Sequence, residues 1–171
     1  MIVVSLSTLI KIKGIDIFID SHKYLKNKNY IIYKIYGDGP LKNKLELKKN
    51  SSIKFMGFTN TPEDIIKNSD IVVIPTIIPE SFSLVALEAI NNGIPVVTTN
   101  IGGQSELVIN NYVGLHYLAR NPKSLASKID ILFENPRLYK ELSNNCINYS
   151  KKYSYNIFKN NILEVFNSVM V

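Results

Sequence analysis

Runs of β-branched and other apolar residues alternate along this chain with segments whose apolar residues recur at helical spacing. Such runs are typical of parallel strands buried on both faces, and they predict five strands, at residues 2–6, 30–36, 53–55, 71–75 and 95–98. The intervening segments predict helices at residues 15–26, 41–49, 62–68, 83–92 and 104–109. This succession of βαβ units indicates an α/β fold, a doubly wound, Rossmann-like parallel sheet flanked by helices. From Pro122 onward the pattern is wholly helical, with segments near residues 123–134, 137–151 and 155–169.

The composition fits one globular domain. With 171 residues, of which 46% are hydrophobic and 20% charged, the chain can bury roughly 70% of its unfolded surface and lacks the signature of disorder. We therefore expect a single domain over residues 1–171. The lone cysteine, Cys146, forms no internal disulfide, which favours a reducing, cytoplasmic setting. The longest apolar run, residues 71–79, has about half the length of a membrane span.

The net charge of +6 comes mostly from lysines that are scattered over several segments. Scattered lysines are typical of a solvated surface, and the clustered arginines and aromatics of a nucleic-acid-binding module are missing from the sequence. We therefore expect no nucleic-acid partner. A general attraction to phosphates and anionic lipids is expected, which allows peripheral contact with the inner face of the cytoplasmic membrane.

In a doubly wound sheet, ligands bind at the carboxyl ends of the strands, so the loops there carry the candidate chemistry. After the second predicted strand comes a turn that contains Gly37 and Gly39. A dinucleotide fingerprint requires a third glycine where this chain has Lys42. The departure argues against an enzyme that uses a nicotinamide cofactor.

The loop after the fourth predicted strand presents two carboxylates. Glu80 precedes a predicted helix and Glu88 lies about five residues inside it, which is roughly 7 to 8 Å along the axis. Between them, the first-turn amides near Ser83 and Leu84 form a ready anion site at the positive end of the helix dipole. The two acids and the amides can therefore contact different parts of one elongated, phosphate-bearing ligand. The alternative is that Glu80 and Ser81 only cap the helix while Glu88 lies on its polar face.

A second glycine pair, Gly102 and Gly103, follows the fifth predicted strand and offers a place where the backbone can approach a ligand closely. The loop does not have the G-x-S-x-G pattern of a nucleophile elbow. We interpret His22 and His116 as structural or surface residues, and Cys146 as a small packing residue.

Together these loops resemble the C-terminal, donor-binding half of the retaining glycosyltransferases of family 4, which have the two-domain GT-B fold. The resemblance covers nearly the whole chain. Its most specific part is PTIIPESFSLVALEA at residues 75–89, which is similar to the family's proline-serine segment followed by two glutamates seven residues apart. The supporting stretches are residues 13–16 (KGID), 37–40 (GDGP), 55–58 (FMGF), 92–97 (NGIPVV), Gly102 and Gly103 with Glu106, and 113–115 (VGL).

The resemblance implies a role for each acidic and basic residue of these loops. Glu80 contacts hydroxyls of the donor sugar, Glu88 binds the nucleotide ribose, and amides near Ser83 and Leu84 hold the diphosphate. Lys13 matches the family's lysine that neutralises the diphosphate as it leaves, a role that suits a charge growing in the transition state. The catalytic residues implied are thus Glu80 and Lys13.

The resemblance also implies that Gly37, Gly39 and Phe58 border the nucleotide, with Gly103 in the glycine-rich loop beside the donor. The ligand that it implies is a nucleotide-diphosphate sugar, and the motifs specify neither the base nor the sugar. Neither a metal nor a cofactor is implied, and the chain contains no Asp-x-Asp metal motif.

Two features depart from the family pattern. Ser7 and Thr8 stand where a glycine–arginine pair is common, so one phosphate-binding cation is missing. Losing such a charge-assisted hydrogen bond costs roughly ten- to a hundredfold in donor binding or transfer, unless another lysine substitutes. Ser83 stands where a glycine is usual, which crowds the diphosphate slightly.

Family members also carry an N-terminal, acceptor-binding domain, whereas this chain begins in the first strand of the donor half. We therefore expect that transfer needs an acceptor-binding domain or a separate chain, the sequence being a fragment, a truncated product or a natural subunit. Two other functions remain as alternatives: a GT-B-like sugar-nucleotide epimerase and a non-catalytic nucleotide-sugar sensor.

The last predicted helix, residues 155–169, carries an apolar stripe. It consists of Phe158, Ile162, Val165 and Phe166 at helical spacing. One reading is that the stripe packs on the helices of the sheet. The other, implied by the resemblance, is that this region crosses toward the acceptor domain and leaves the stripe exposed in the isolated half.

Overall fold

The computed structural model describes residues 1–169, so residues 170 and 171 of the predicted domain lie outside the described residues. Six parallel strands form one sheet in the order β3-β2-β1-β4-β5-β6. They are β1 Ile2–Leu6, β2 Ile32–Tyr36, β3 Ile53–Gly57, β4 Ile71–Ile74, β5 Val96–Thr99 and β6 Gly114–Tyr117. The helices are α1 Ile15–Ser21, α2 Lys42–Glu46, α3 Pro62–Lys67, α4 Leu84–Asn91, α5 Gln104–Leu107, α6 Pro122–Glu134, α7 Pro136–Ser150 and α8 Tyr155–Val169. Four short 3₁₀ turns lie at Lys11–Lys13, His22–Tyr24, Lys28–Tyr30 and Lys151–Tyr153.

Helices cover both faces of the sheet, which confirms the predicted doubly wound fold. Val3 of β1 belongs to a core that also contains Phe18 of α1 and Ile129 of α6. The next residue, Val4, points to the opposite face, where its core includes Ile90 of α4. Adjacent residues of one strand thus serve two cores, as they must in a sheet buried on both sides.

Cys146 of α7 packs in the second of these cores, as predicted. It is fully buried, and burial raises the pKa of its thiol to about 12. The thiol therefore stays protonated and acts as a small apolar group.

Most predicted boundaries are correct to within a few residues, and the two largest differences are a missed strand and a shorter first helix. The sixth strand, β6, was not predicted because its sequence, GLHY, has a glycine, a histidine and no β-branched residue. The first helix was predicted to reach residue 26 but ends at Ser21, whose hydroxyl donates to the carbonyl of Phe18 at 2.7 Å. A side chain that bonds back to the preceding turn competes with the helical ladder, and the chain continues as a 3₁₀ turn.

The C-terminal helix α8 does not pack on the helices of the sheet, and the first reading of its apolar stripe is wrong. None of its residues is buried, and Phe158, Val165 and Phe166 are each about 60% exposed or more. The stripe is therefore an exposed apolar face. Within residues 1–169, no helix is both long enough and apolar enough to cross a membrane.

The strand order reverses between β1 and β4, which are neighbours although two strands separate them in the chain. After β1 the chain continues to β2 on one side, and after β4 it continues to β5 on the other. Because the two outgoing loops diverge, they leave a crevice at the carboxyl edge of the sheet, where open α/β sheets bind ligands.

Backbone contact ties these two loops together at the base of the crevice. The amide of Ile77 donates to the carbonyl of Ile12 at 3.0 Å. Gly14 has a left-handed conformation, with φ of 65°, and a Cβ at this position would overlap the carbonyl oxygen of Pro75. The position therefore requires glycine for its backbone angles and for the close approach of the two loops.

This contact predicts a large cost for Gly14→Ala. We expect the free energy of unfolding to fall by about 3 kcal/mol, because the backbone must shift in addition to adopting a strained φ. Gly57→Ala is the matched control, since Gly57 has φ of 78° but open space around its missing Cβ. It should cost about 1 kcal/mol from strain alone. Urea denaturation measures both, and equal losses would contradict the close-approach argument.

Candidate functional site

Two adjoining cavities lie in the crevice between the diverging loops. The first has a volume of about 310 Å³ and the second about 270 Å³. The residues common to both linings are Leu6 at the end of β1, Ser7 and Thr8 after it, and Val85 in α4. Because they share this wall, the cavities form one elongated groove, as a ligand with several linked parts would need.

The first cavity contains an ion pair between residues 67 positions apart in sequence. The ammonium of Lys13 donates to the carboxylate of Glu80, and the hydroxyl of Thr76 donates to the same oxygen at 3.2 Å. About a quarter of the Lys13 side chain and a fifth of that of Glu80 remain exposed. The structure thus brings the two predicted catalytic residues into direct contact, where both still face the groove.

The loop that carries Glu80 rests on the glycine pair after β5. The amide of Gly103 donates to the carbonyl of Glu80 at 2.7 Å, and Glu80 forms a parallel bridge with Gly102. A Cβ on Gly103 would overlap the carbonyl oxygen of Ser81. Gly103 therefore supports the loop from behind, and it does not line either cavity.

Helix α4 begins at the groove and is capped by Ser83. The Ser83 hydroxyl accepts from the amide of Ala86 at 3.3 Å, so the prediction that Glu80 and Ser81 cap the helix is wrong. Ser83, Leu84 and Val85 all line the first cavity. The amides of Leu84 and Val85 precede the first intrahelical bond, and at the positive end of the helix dipole such amides attract anions.

The second cavity holds two of the residues predicted to border a nucleotide, Gly37 and Phe58. Phe58 follows β3 and its side chain is 74% exposed, so its ring forms an open apolar edge. Gly39 lies outside the lining and packs closely against the backbone of Leu9, where it shapes the turn.

Glu88 lies in the second turn of α4, outside the linings of both cavities. Burial raises the pKa of Glu88 above its ordinary value, and the nearby charge of Glu63 in α3 raises it further. Glu63 is adjacent to Pro62, which lines the second cavity. Helices α3 and α4 are in contact, which brings Glu88 within range of the charge of Glu63.

The groove has little positive charge of its own. Among the described residues that line the two cavities, Lys13 alone is a cation. Thr8, at the position of the missing arginine, is exposed and lines both. An anion in the groove would therefore depend on Lys13 and the first amides of α4. Residues 1–169 contain no group of three or more His, Cys, Asp or Glu side chains arranged to hold a metal ion.

Two lining residues were missed from the sequence. Thr76 is a fully buried hydroxyl directly after a strand, a position that could have indicated a partner in the site. Phe82 is 43% exposed and lines the first cavity between Glu80 and Ser83. An aromatic residue in a polar loop is the signal that could have found it.

The chain is similar to enzymes that transfer sugars. An uncharacterized glycosyltransferase of Methanocaldococcus jannaschii is 36% identical over 149 residues, which are 84% of this chain and 41% of that protein. The N,N'-diacetylbacillosaminyl-diphospho-undecaprenol alpha-1,3-N-acetylgalactosaminyltransferase of Campylobacter jejuni is 28% identical over 159 residues, 92% of this chain and 42% of that enzyme. This chain thus spans less than half the length of either relative.

A solved structure supports the fold. The Anabaena protein HepE, crystallised with UDP and glucose, superposes with a TM-score of 0.89 at 24% identity, over 98% of this chain and 48% of that one. This likeness confirms the Rossmann-like architecture found in GT-B glycosyltransferases. The sequence itself matches the family of glycosyl transferases group 1 over residues 1–153, a span that includes every residue of the groove. The chain therefore belongs to the glycosyl transferases group 1.

Proposed function

We propose that this chain is the donor-binding part of a retaining glycosyltransferase of family 4. It binds a nucleotide-diphosphate sugar in the groove, for transfer of the sugar to an acceptor hydroxyl with its anomeric configuration retained. The observation that carries the proposal is that the Lys13–Glu80 ion pair and the first residues of α4 line the same cavity. Family membership supports the transferase class.

The diphosphate lies, in this proposal, at the N-terminus of α4. The amides of Leu84 and Val85 supply hydrogen-bond donors there, and Lys13 supplies the only full positive charge among the described lining residues. As the bond to the sugar breaks, negative charge grows on the diphosphate, and a lysine within reach stabilises that change. No divalent metal is needed, because the helix and Lys13 provide the positive potential.

Glu80 has a double role in this proposal. Before the donor binds, its carboxylate neutralises Lys13 and accepts from Thr76. When the donor binds, Lys13 turns to the diphosphate and the freed carboxylate accepts from hydroxyls of the sugar. Thr76 keeps the carboxylate oriented during the exchange. The pair is partly exposed, so exchanging its partners costs little.

The nucleoside occupies the second cavity. Its base lies against the Phe58 ring near Gly37, and Gly39 and Gly103 hold the turns that shape the groove. Glu88 accepts from the ribose hydroxyls. The apolar edge formed by Phe58 can stack on any base, so these residues do not determine which base is bound.

The acceptor is bound by a second structural unit, either an N-terminal domain or a separate chain. Support comes from the exposed apolar face of α8 and from the greater length of the relatives. The Campylobacter relative is named for a diphospho-undecaprenol acceptor. By analogy we assign this chain to polysaccharide or glycolipid synthesis at the cytoplasmic face of the membrane, where its charge of +6 favours anionic lipid.

The role assignment predicts that two glutamates act on different parts of the donor. Calorimetry of the 171-residue protein should give dissociation constants on the order of 0.1 to 1 mM for UDP or GDP. Glu88→Ala should weaken binding of the nucleoside diphosphate about tenfold or more, because a charge-assisted hydrogen bond is lost. Glu80→Ala should weaken binding mainly when the sugar is attached.

Glu141→Ala, on the exposed face of α7, is the matched control and should change neither affinity. Equal losses for both ligands in both groove variants would contradict the roles. The same titrations with chelator and with added magnesium test metal independence. A rise of more than about tenfold on adding the metal would contradict it.

The raised pKa of Glu88 predicts a pH dependence of nucleotide binding. A protonated Glu88 loses an acceptor for ribose, so affinity should fall as the pH drops through a value above that of an ordinary glutamate. Glu63→Gln removes the smaller of the two causes, so the midpoint should move to lower pH. UDP titrations across the acidic range measure it, with Glu141→Gln as control. A midpoint that stays in place or rises in Glu63→Gln would refute the assignment.

The need for a second unit predicts that the protein alone is inactive in transfer. No acceptor pocket and no closed, water-excluding cleft can form from one half.

We also expect self-association through the α8 face, measured as mass in solution. Phe158→Glu should reduce it, whereas Lys159→Glu should not, because Lys159 lies off the apolar stripe. Robust acceptor glycosylation by a strict monomer would overturn this part of the proposal.

A further inference from the structure

The loop that carries Glu80 presents one aromatic ring, Phe82, between that carboxylate and the cap of α4. Phe82 is 43% exposed and lines the first cavity. Its ring centroid lies 6.4 Å from that of Tyr153, and the two ring planes are tilted by 54°. This is the distance range in which aromatic pairs attract each other. The side chain next to the proposed diphosphate site is therefore in contact with a residue 71 positions later in the chain.

Tyr153 also contacts Tyr149 of α7. Their hydroxyls are 3.1 Å apart, and their rings meet edge to face with centroids 5.5 Å apart. Tyr149 is buried, and its hydroxyl donates to the carbonyl of Glu106 in α5 at 3.3 Å. Since the Tyr149 proton is used in that bond, Tyr153 is the donor between the two hydroxyls. Tyr153 is thus fixed by its ring and by its hydroxyl.

These contacts connect the loop that carries Glu80 to the segment around α5 at two points. Gly103, the N-cap of α5, supports the loop backbone at one end through its bond to the carbonyl of Glu80. The same helix, through Glu106 and Tyr149, sets the place of Tyr153, which contacts Phe82 two residues beyond Glu80. The segment around α5 therefore holds both the backbone of the loop, at Glu80, and its exposed ring, Phe82. Without Tyr153, only the backbone bond from Gly103 to Glu80 would remain.

We propose that Tyr153 is a positioning residue for the donor site: through Phe82 it holds the segment from Glu80 to Ser83 in its binding conformation. The proposal rests on the proposed function of that segment. Tyr153 does not line the cavity, so it acts through Phe82 and does not touch the donor. A loop that is ordered beforehand loses less conformational freedom when a ligand binds, and the affinity is higher for that reason.

The first experiment reads the loop without any ligand. The chain contains no tryptophan, so Phe82→Trp introduces a single fluorescent reporter at the contact. Adding Tyr153→Ala to this variant should shift its emission to longer wavelength and increase quenching by acrylamide, because the ring loses its neighbour. Tyr155→Ala is the matched control, since Tyr155 is 75% exposed and lies two residues on. It should leave the emission unchanged.

The second experiment measures UDP affinity by calorimetry in the otherwise natural chain. Tyr153→Ala should weaken UDP binding about two- to tenfold, the range expected from loss of an aromatic contact. Tyr153→Phe keeps the ring and should restore affinity to within about twofold of the natural protein. A purely structural residue would lower the midpoint of thermal unfolding without this rescue of binding. If Tyr153→Ala fails to fold, Tyr153→Leu replaces it in both experiments.

Unchanged emission in the Tyr153→Ala reporter, or an unchanged UDP affinity, would overturn the positioning role. An equal effect of Tyr155→Ala would do the same, because it would reflect the C-terminal segment in general. If the natural protein binds neither UDP nor GDP, the proposed function fails. The fluorescence result then still decides whether Tyr153 holds the loop.

Discussion

The site depends on one constraint: β1 and β4 are neighbours in a parallel sheet, and the chain leaves them in opposite directions. Their loops must diverge above the sheet, and the groove is the space between them. The fold must still hold the loops together at their base, which it does through the close approach of Gly14 to Pro75 and the bond from Ile77 to Ile12. The Lys13–Glu80 contact above them therefore joins two loops whose backbones are already fixed.

The ion pair in the groove contributes little to the stability of the fold. An ion pair that is partly exposed contributes at most about 1 kcal/mol to folding, so the Lys13–Glu80 pair is a weak support for the fold. In the proposed function its role is a different one: each partner neutralises the other until the donor binds, when Lys13 turns to the diphosphate and Glu80 to the sugar. Among the described residues that line the groove there is a single side-chain cation, so an anion bound there would rely on it and on the amides of α4.

The sequence predicted the order of elements well, because buried parallel strands and amphipathic helices leave distinct patterns. It missed β6, since a four-residue strand with one glycine and one histidine has no such pattern. For the groove, local spacing was enough to associate Glu80 with Ser83 and Leu84, which are joined by one loop and one helix.

Contacts between distant segments could not be predicted in this way. Nothing in the spacing of Phe82 and Tyr153 indicates that their rings are in contact, and nothing in the spacing of Glu63 and Glu88 indicates that the charge of one acts on the other, because the packing of the helices decides both. The fate of α8 was equally undetermined. Its apolar stripe has the same pattern whether it is buried or, as here, exposed.

The C-terminal helix has a mechanical consequence. Helix α8 has 15 residues and is about 22 Å long, and it is joined to the rest of the molecule at Ser154, directly after Tyr153. A rotation of about 10° at that joint would carry the far end of the helix roughly 4 Å, while the residue at the pivot stays almost in place. The pivot of such a rotation lies beside Tyr153, which contacts Phe82 in the loop that carries Glu80. Because Tyr153 lies beside the pivot, such a rotation would leave its contact with Phe82 in place.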